Sequence, residues 1–131
     1  NKVMKILGIG IDIIKNKRIK NLIKNKIFIN RIFGSKEVKV SNKILNKTNY
    51  FAKRFAAKEA FAKAVGTGFK NKLNFKDIEI LNNKIGKPYY IKTKKMDKII
   101  YKRFKQKKYD LFLSISDEND YSVAFTILQT K

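Results

Sequence analysis

RFAAKEAFAKAVGTGF, residues 54–69, sets one acid, Glu59, among alanines and phenylalanines, with Lys58 beside it and Lys63 one turn on. Alanine-rich sequence favours a helix and Gly66 and Gly68 stop it, so the pattern predicts a helix from about Thr48 to Val65. On a wheel of about 100° per residue, Glu59 shares its arc with Ala52, Phe55, Ala56, Ala62 and Lys63, whereas Lys53, Arg54 and Val65 lie roughly opposite. A carboxylate on the apolar side is half of an ion pair or a functional ligand. A Glu59–Lys63 pair at i,i+4 contributes only about 0.2–0.5 kcal/mol on an exposed helix, whereas an unpaired ion on an apolar face costs far more. The pattern alone leaves the two readings even.

A second acid is placed as oddly. Val3 to Ile14 (VMKILGIGIDII) is almost continuously apolar, with Gly8 and Gly10 inside it, and predicts a buried strand. Asp12 interrupts it between Ile11 and Ile13. A strand-end Asp also caps a following helix, so this position has its plain alternative. Of the ten acids, only Asp12 and Glu59 are embedded so deeply in apolar sequence. One carboxylate on a strand and one on a helix suit a hard cation such as Mg2+, which takes few carboxylates and keeps water and phosphate oxygens as its other ligands.

The remaining pattern predicts an amphipathic basic helix over 16–29, with Ile19, Leu22, Ile23 and Ile27 on one face, and a shorter helix from Ser35, its cap, to about Asn46. Phe75 to Leu81 alternates as a half-buried strand does. A turn through Asn82, Asn83, Gly86 and Pro88 leads into a strand over 89–93, and Lys94 to Lys108 is helical by its Met96, Ile99, Ile100, Phe104 spacing. Strands over 111–116 and 121–128 flank the acidic turn Asp117, Glu118, Asn119, Asp120. The expected fold is α+β, mixed helices and antiparallel strands in a single domain over 1–131. GTG at Gly66–Gly68, and Lys84 and Lys87 around Gly86, offer backbone N–H groups to a phosphate, although a short glycine turn is more often only a turn.

Composition narrows the chemistry. No cysteine and no histidine are present, which excludes disulfides, thiolate and imidazole metal ligands, and imidazole general bases. Lys+Arg numbers 32 against 10 Asp+Glu, a net charge of +22. That field favours polyanions: nucleic acid, an acidic protein, anionic lipid or a phosphorylated cofactor. Solvated lysines scattered among asparagine and isoleucine explain the charge equally well. No apolar run is long enough to span a bilayer.

Three blocks then match a family in order: GIGIDII with Arg18-Ile19, RFAAKEAFAKAVGTGF, and FKDIEI…NNKIGKPYY followed by LSISDENDYSVAFTIL. The chain resembles the holo-acyl-carrier-protein synthases, the small 4'-phosphopantetheinyl transferases, over almost its whole length. The resemblance implies transfer of the phosphopantetheine arm of coenzyme A to a serine of apo acyl carrier protein, releasing adenosine 3',5'-bisphosphate, in support of fatty acid biosynthesis. It implies that Asp12 and Glu59 bind Mg2+ with the diphosphate of coenzyme A. It makes Lys63 the lysine that steadies a phosphate oxygen, and leaves serine activation to Glu59 or a metal-linked water. By the same resemblance Arg54 and Lys58 contact coenzyme A phosphates, Gly66, Gly86, Lys87 and Pro88 lie near the cofactor, and Arg18 faces the acidic carrier, with Lys24 and Lys26 extending that surface.

It also implies a homotrimer with shared sites. The expected compartment is the cytosol if the chain is bacterial, or a plastid-type organelle if a targeting segment preceded Asn1. Asp117 departs from the family, which usually has a histidine after the S-x-S of Ser114 to Ser116, and so puts the cofactor contacts at that end in question; Lys15 is a milder departure. The alternatives are a non-catalytic binder of coenzyme A or carrier protein, and a basic nucleic-acid-binding protein. Against the latter, Phe51, Phe55 and Phe61 sit at core-like positions rather than forming a stacking platform.

Overall fold

The computed structural model describes residues 3–66 and 73–131. Five helices and five strands follow in the order β1 (Ile6–Lys15), α1 (Asn16–Leu22), α2 (Lys26–Ile32), α3 (Ser35–Ser41), α4 (Lys47–Val65), β2 (Ile80–Asn82), β3 (Pro88–Tyr90), α5 (Lys94–Phe104), β4 (Tyr109–Asp117) and β5 (Tyr121–Thr130). β1, β5 and β4 form an antiparallel sheet in that order, and β2 and β3 form a separate hairpin. The fold is α+β, as the sequence predicts.

The sheet is built around α4. Gly8, Gly10, Asp12 and Ile14 alternate onto the helix-facing side of β1. A Cβ at Gly8 would fall on the carbonyl of Ala64, and one at Gly10 on that of Ala60. The two glycines therefore let helix and strand touch backbone to backbone, and the next residue on that face is Asp12, paired in register with Ala124 of β5. From Tyr50 to Val65 only Lys53, Glu59 and Lys63 escape burial. This corrects the expected solvent side: Arg54 and Val65 are buried, because α4 runs through the interior rather than along its edge. Other core residues close around it, among them Ile19, Phe33, Tyr90, Ile100 and Leu128.

Several boundaries differ from the sequence expectation for local reasons. The helix expected over 16–29 is two helices, because the Asn25 side chain accepts the N–H of Ile27 and starts α2 afresh. The Ser35 helix begins after Gly34, whose N–H donates to Glu37 Oε1, so Gly34 and not Ser35 holds the capping position; the helix ends at Ser41. The strand expected from Phe75 is a 3-10 turn at Phe75–Asp77 followed by the short β2. Asn74 caps that turn, and the carbonyls of Phe75 and Ile78 accept from Lys58 instead of entering a ladder. β3 stops at Tyr90. α5 stops at Phe104, where Lys105 turns left-handed at φ 60°.

The other face of the sheet stays bare. Ile9, Ile11 and Ile13 point away from α4 and are 53%, 57% and 62% exposed, with Phe112 and Phe125 beside them. An apolar strip of this kind on one sheet face marks an interaction surface.

Candidate functional site

Asp12 and Glu59 come together where α4 surfaces over β1. The Lys63 ammonium, one turn past Glu59, donates to Asp12 Oδ1 at 3.1 Å and to the Ile11 carbonyl at 3.0 Å. Lys63 thus pairs with Asp12 across the two elements, not with Glu59 along its own helix as helical spacing suggests. Burial pushes the Asp12 carboxyl up, against the pull of Lys63 and Arg18. Burial also raises Glu59, and the neighbouring Asp12 charge raises it further, with Lys63 and Arg18 opposing. Arg18 of α1 is exposed and stands near both acids.

Two half-buried carboxylates that resist ionisation are a place for positive charge, and a lysine ammonium already rests on one of them. Among the described residues there is no group of three or more potential metal ligands. The pair alone therefore fits a hard cation that completes its shell with water and substrate oxygens, and fits poorly with a metal caged by protein.

Arg54 is 4% exposed. Its guanidinium lies 3.9 Å over the Tyr50 ring and donates to Asn82 Oδ1, while its Nε is buried without a hydrogen-bond partner among the described residues. Burial lowers its pKa. Asn82 in turn donates to the Gly86 carbonyl, so the 83–87 turn is tied to Arg54. Within that turn the N–H of Gly86 donates to Asn83 O and that of Lys87 to Asn83 Oδ1. Neither is bare for a phosphate, which corrects that expectation. Gly66 likewise spends its N–H on Ala62 O, as the left-handed cap of α4, while Thr67 and Gly68 lie outside the described residues. Pro88 starts β3, and with Lys87 it borders a hollow at Phe112 and Phe125 on the bare sheet face. Lys24 is exposed between α1 and α2.

Lys58 requires the largest correction. Expected to meet a coenzyme A phosphate, it is fully buried, with its ammonium 2.7 Å from Glu37 Oε1 and donating to the Phe75 and Ile78 carbonyls at 2.9 and 2.5 Å. All three ammonium protons are placed, so none is left for a ligand. Its partner Glu37 is the acid most deeply enclosed, also accepting from Gly34 N and Ile80 N. Sequence reasoning overlooks Glu37 because it looks for acids among apolar neighbours. The detectable signal is helix-start chemistry, a Glu three residues after Gly34.

The sequence model of the 4'-phosphopantetheinyl transferase superfamily matches residues 8–126. The holo-[acyl-carrier-protein] synthase of Pelagibacter ubique (strain HTCC1062) is 57% identical over 128 residues, covering 98% of this chain and all of that one. That of Orientia tsutsugamushi (strain Ikeda) is 46% identical, covering 94% of this chain and 96% of its own. Among solved structures, the holo-(acyl-carrier-protein) synthase from Bacillus anthracis str. Ames in complex with CoA (3',5'-ADP) superimposes with a TM-score of 0.80 at 36% identity, covering 98% of this chain and 100% of that one. Holo-ACP-synthase from Plasmodium yoelii gives 0.80 at 34% identity, with 99% of each chain covered. Similarity of sequence and of fold runs through both site carboxylates, and the chain belongs to the holo-[acyl-carrier-protein] synthases of the 4'-phosphopantetheinyl transferase superfamily.

Proposed function

We propose that the window in which Asp12, Glu59 and Lys63 meet is a Mg2+-dependent transfer site. The reaction carries the 4'-phosphopantetheine arm of coenzyme A to a serine of apo acyl carrier protein. The serine oxygen bonds to the phosphorus that bears the pantetheine arm, the bond from that phosphorus to the bridging oxygen breaks, and adenosine 3',5'-bisphosphate leaves with that oxygen. Phosphoryl transfer of this kind depends on positioning and charge neutralisation. Asp12 and Glu59 would hold the cation, which when bound neutralises the diphosphate and charge gathering on the leaving group. Lys63, exposed and tethered only through Asp12 and a carbonyl, is free to move onto a phosphate oxygen. Glu59, its carboxyl raised by burial and by Asp12, is suited to receive the serine proton. The observation that carries this reading is the convergence of two reluctant carboxylates and a lysine where a buried helix opens to solvent.

Apo acyl carrier protein incubated with this chain, coenzyme A and Mg2+ is expected to gain the mass of one phosphopantetheine arm. EDTA abolishes the gain and excess Mg2+ restores it. Unchanged mass with several acidic carriers sinks the reading; a gain that survives EDTA sinks its metal part. Arg18 and Lys24, exposed beside the site, would receive the acidic carrier. The bacterial relatives favour the cytosol, and no helix among the described residues is long and apolar enough to cross a membrane.

The bare strip of Ile9, Ile11 and Ile13 would be covered by neighbouring copies in a homotrimer with shared sites. Light scattering is expected to give three times the chain mass. Ile11→Lys, placing a charge at the centre of the strip, is expected to give monomers that have lost most of their activity. A monomeric wild type, or an active monomeric variant, rules out the shared site.

A further inference from the structure

About 7–9 Å along the axis of α4 from Glu59 lies a cavity of about 440 Å3 whose lining includes Asn49, Tyr50, Lys53, Arg54, Asn82 and Asp117. What enters it follows from the transferase reading, on which this inference rests. Coenzyme A carries two kinds of anion, the diphosphate that is cleaved and a monoester, the 3'-phosphate of its ribose. With the diphosphate at Asp12, Glu59 and Lys63, the monoester must be met within the span of a nucleotide. The cavity supplies a buried arginine with an unmet Nε donor, a costly arrangement that a phosphate oxygen relieves. Lys53 is its second cation.

The same wall holds a carboxylate. Asp117 Oδ2 accepts from Asn49 Nδ2 at 2.9 Å and stands 3.9 Å from Lys53 Nζ. Lys53 is therefore already engaged, and an entering phosphate dianion meets a fixed like charge beside the cations meant to attract it. A donor without the monoester meets no such penalty. We infer that Asp117 is a specificity determinant that relaxes selection for the 3'-phosphate, so that the enzyme accepts dephospho-coenzyme A nearly as well as coenzyme A.

Asp117→Asn keeps an oxygen for Asn49 and removes only the charge. Calorimetry with adenosine 3',5'-bisphosphate and with adenosine 5'-monophosphate measures the preference directly, with no turnover required. The wild type is expected to favour the bisphosphate by less than about tenfold, and the variant to raise that preference by about a further tenfold, the scale of one nearby charge in a partly solvated site. Affinity for the monophosphate stays nearly constant. The ratio of kcat/KM for coenzyme A over dephospho-coenzyme A is expected to rise with it. Equal preference in the two proteins, or affinity rising equally for both nucleotides, overturns the inference. A shifted binding preference without turnover of either donor would leave the inference standing and sink the transferase reading instead.

Discussion

Replacing Glu59 by Gln is expected to lower kcat/KM for phosphopantetheine transfer by at least about 10^3-fold, the equivalent of roughly 4 kcal/mol of transition-state stabilisation lost with one ligand of the cation. The fold is expected to survive intact, and the sign of the stability change is informative. Burial first, and the Asp12 charge second, raise the Glu59 carboxyl above its ordinary value. A raised carboxyl adds stability at pH values below the ordinary carboxylate range, and that stability is lost as pH rises through the raised value. At neutral pH the metal-free wild type carries the unfavourable ionised form, and the glutamine variant does not. Thermal unfolding without metal is therefore expected to show the variant at least as stable as the wild type. The rise in Tm that Mg2+ and coenzyme A give the wild type disappears in the variant. A glutamine variant that retained Mg2+-dependent transfer within tenfold of the wild type would remove Glu59 from the cation.

The same pair shows what the sequence makes legible. Asp12 and Glu59 stand out because each breaks an apolar pattern, and a broken pattern in a strand or helix signals that something other than packing fixed the residue. Gly8 and Gly10 are visible in the sequence only as part of a strand. Their role, letting β1 press its backbone against α4 and so bring Asp12 under Glu59, is a property of two elements separated by about forty residues of chain and needs coordinates. Lysines mislead in the opposite direction. In a chain of charge +22 a lysine in sequence looks solvated or anion-seeking. Lys58 is neither, because the acid that neutralises it belongs to another helix and the carbonyls that complete it belong to a turn whose periodicity resembles a strand. For Arg54 the pattern points to the wrong side of the helix. The wheel assumes one wet face, and α4 has almost none.

Lys58→Met is expected to be the most destabilising single replacement of a charged residue in α4, at about 3–5 kcal/mol, or a fall in Tm of roughly 10–20 °C for a chain of this size. Methionine fills the volume of the lysine stem but leaves the Glu37 carboxylate buried and facing an apolar side chain, while the Ile78 carbonyl loses its donor. Burial already raises Glu37 and lowers Lys58, each held in check mainly by the other's charge; without that partner the carboxyl takes up a proton. The pair also joins three segments, the start of α3 through Gly34, α4 through Lys58 itself, and the 75–80 stretch through Phe75, Ile78 and Ile80. Loss of the ammonium therefore loosens the helix one residue from Glu59, and activity measured well below the new Tm is expected to fall less than stability does. Chemical denaturation of Lys58→Met, Glu37→Met and the double variant separates charge from packing. Exchanging both partners for apolar groups removes the uncompensated ion, so the double variant is expected to be more stable than either single one. Additive losses would mean instead that the two side chains act independently, and a loss below about 1 kcal/mol for Lys58→Met, the scale of an exposed pair, would show that the ammonium is solvated rather than enclosed.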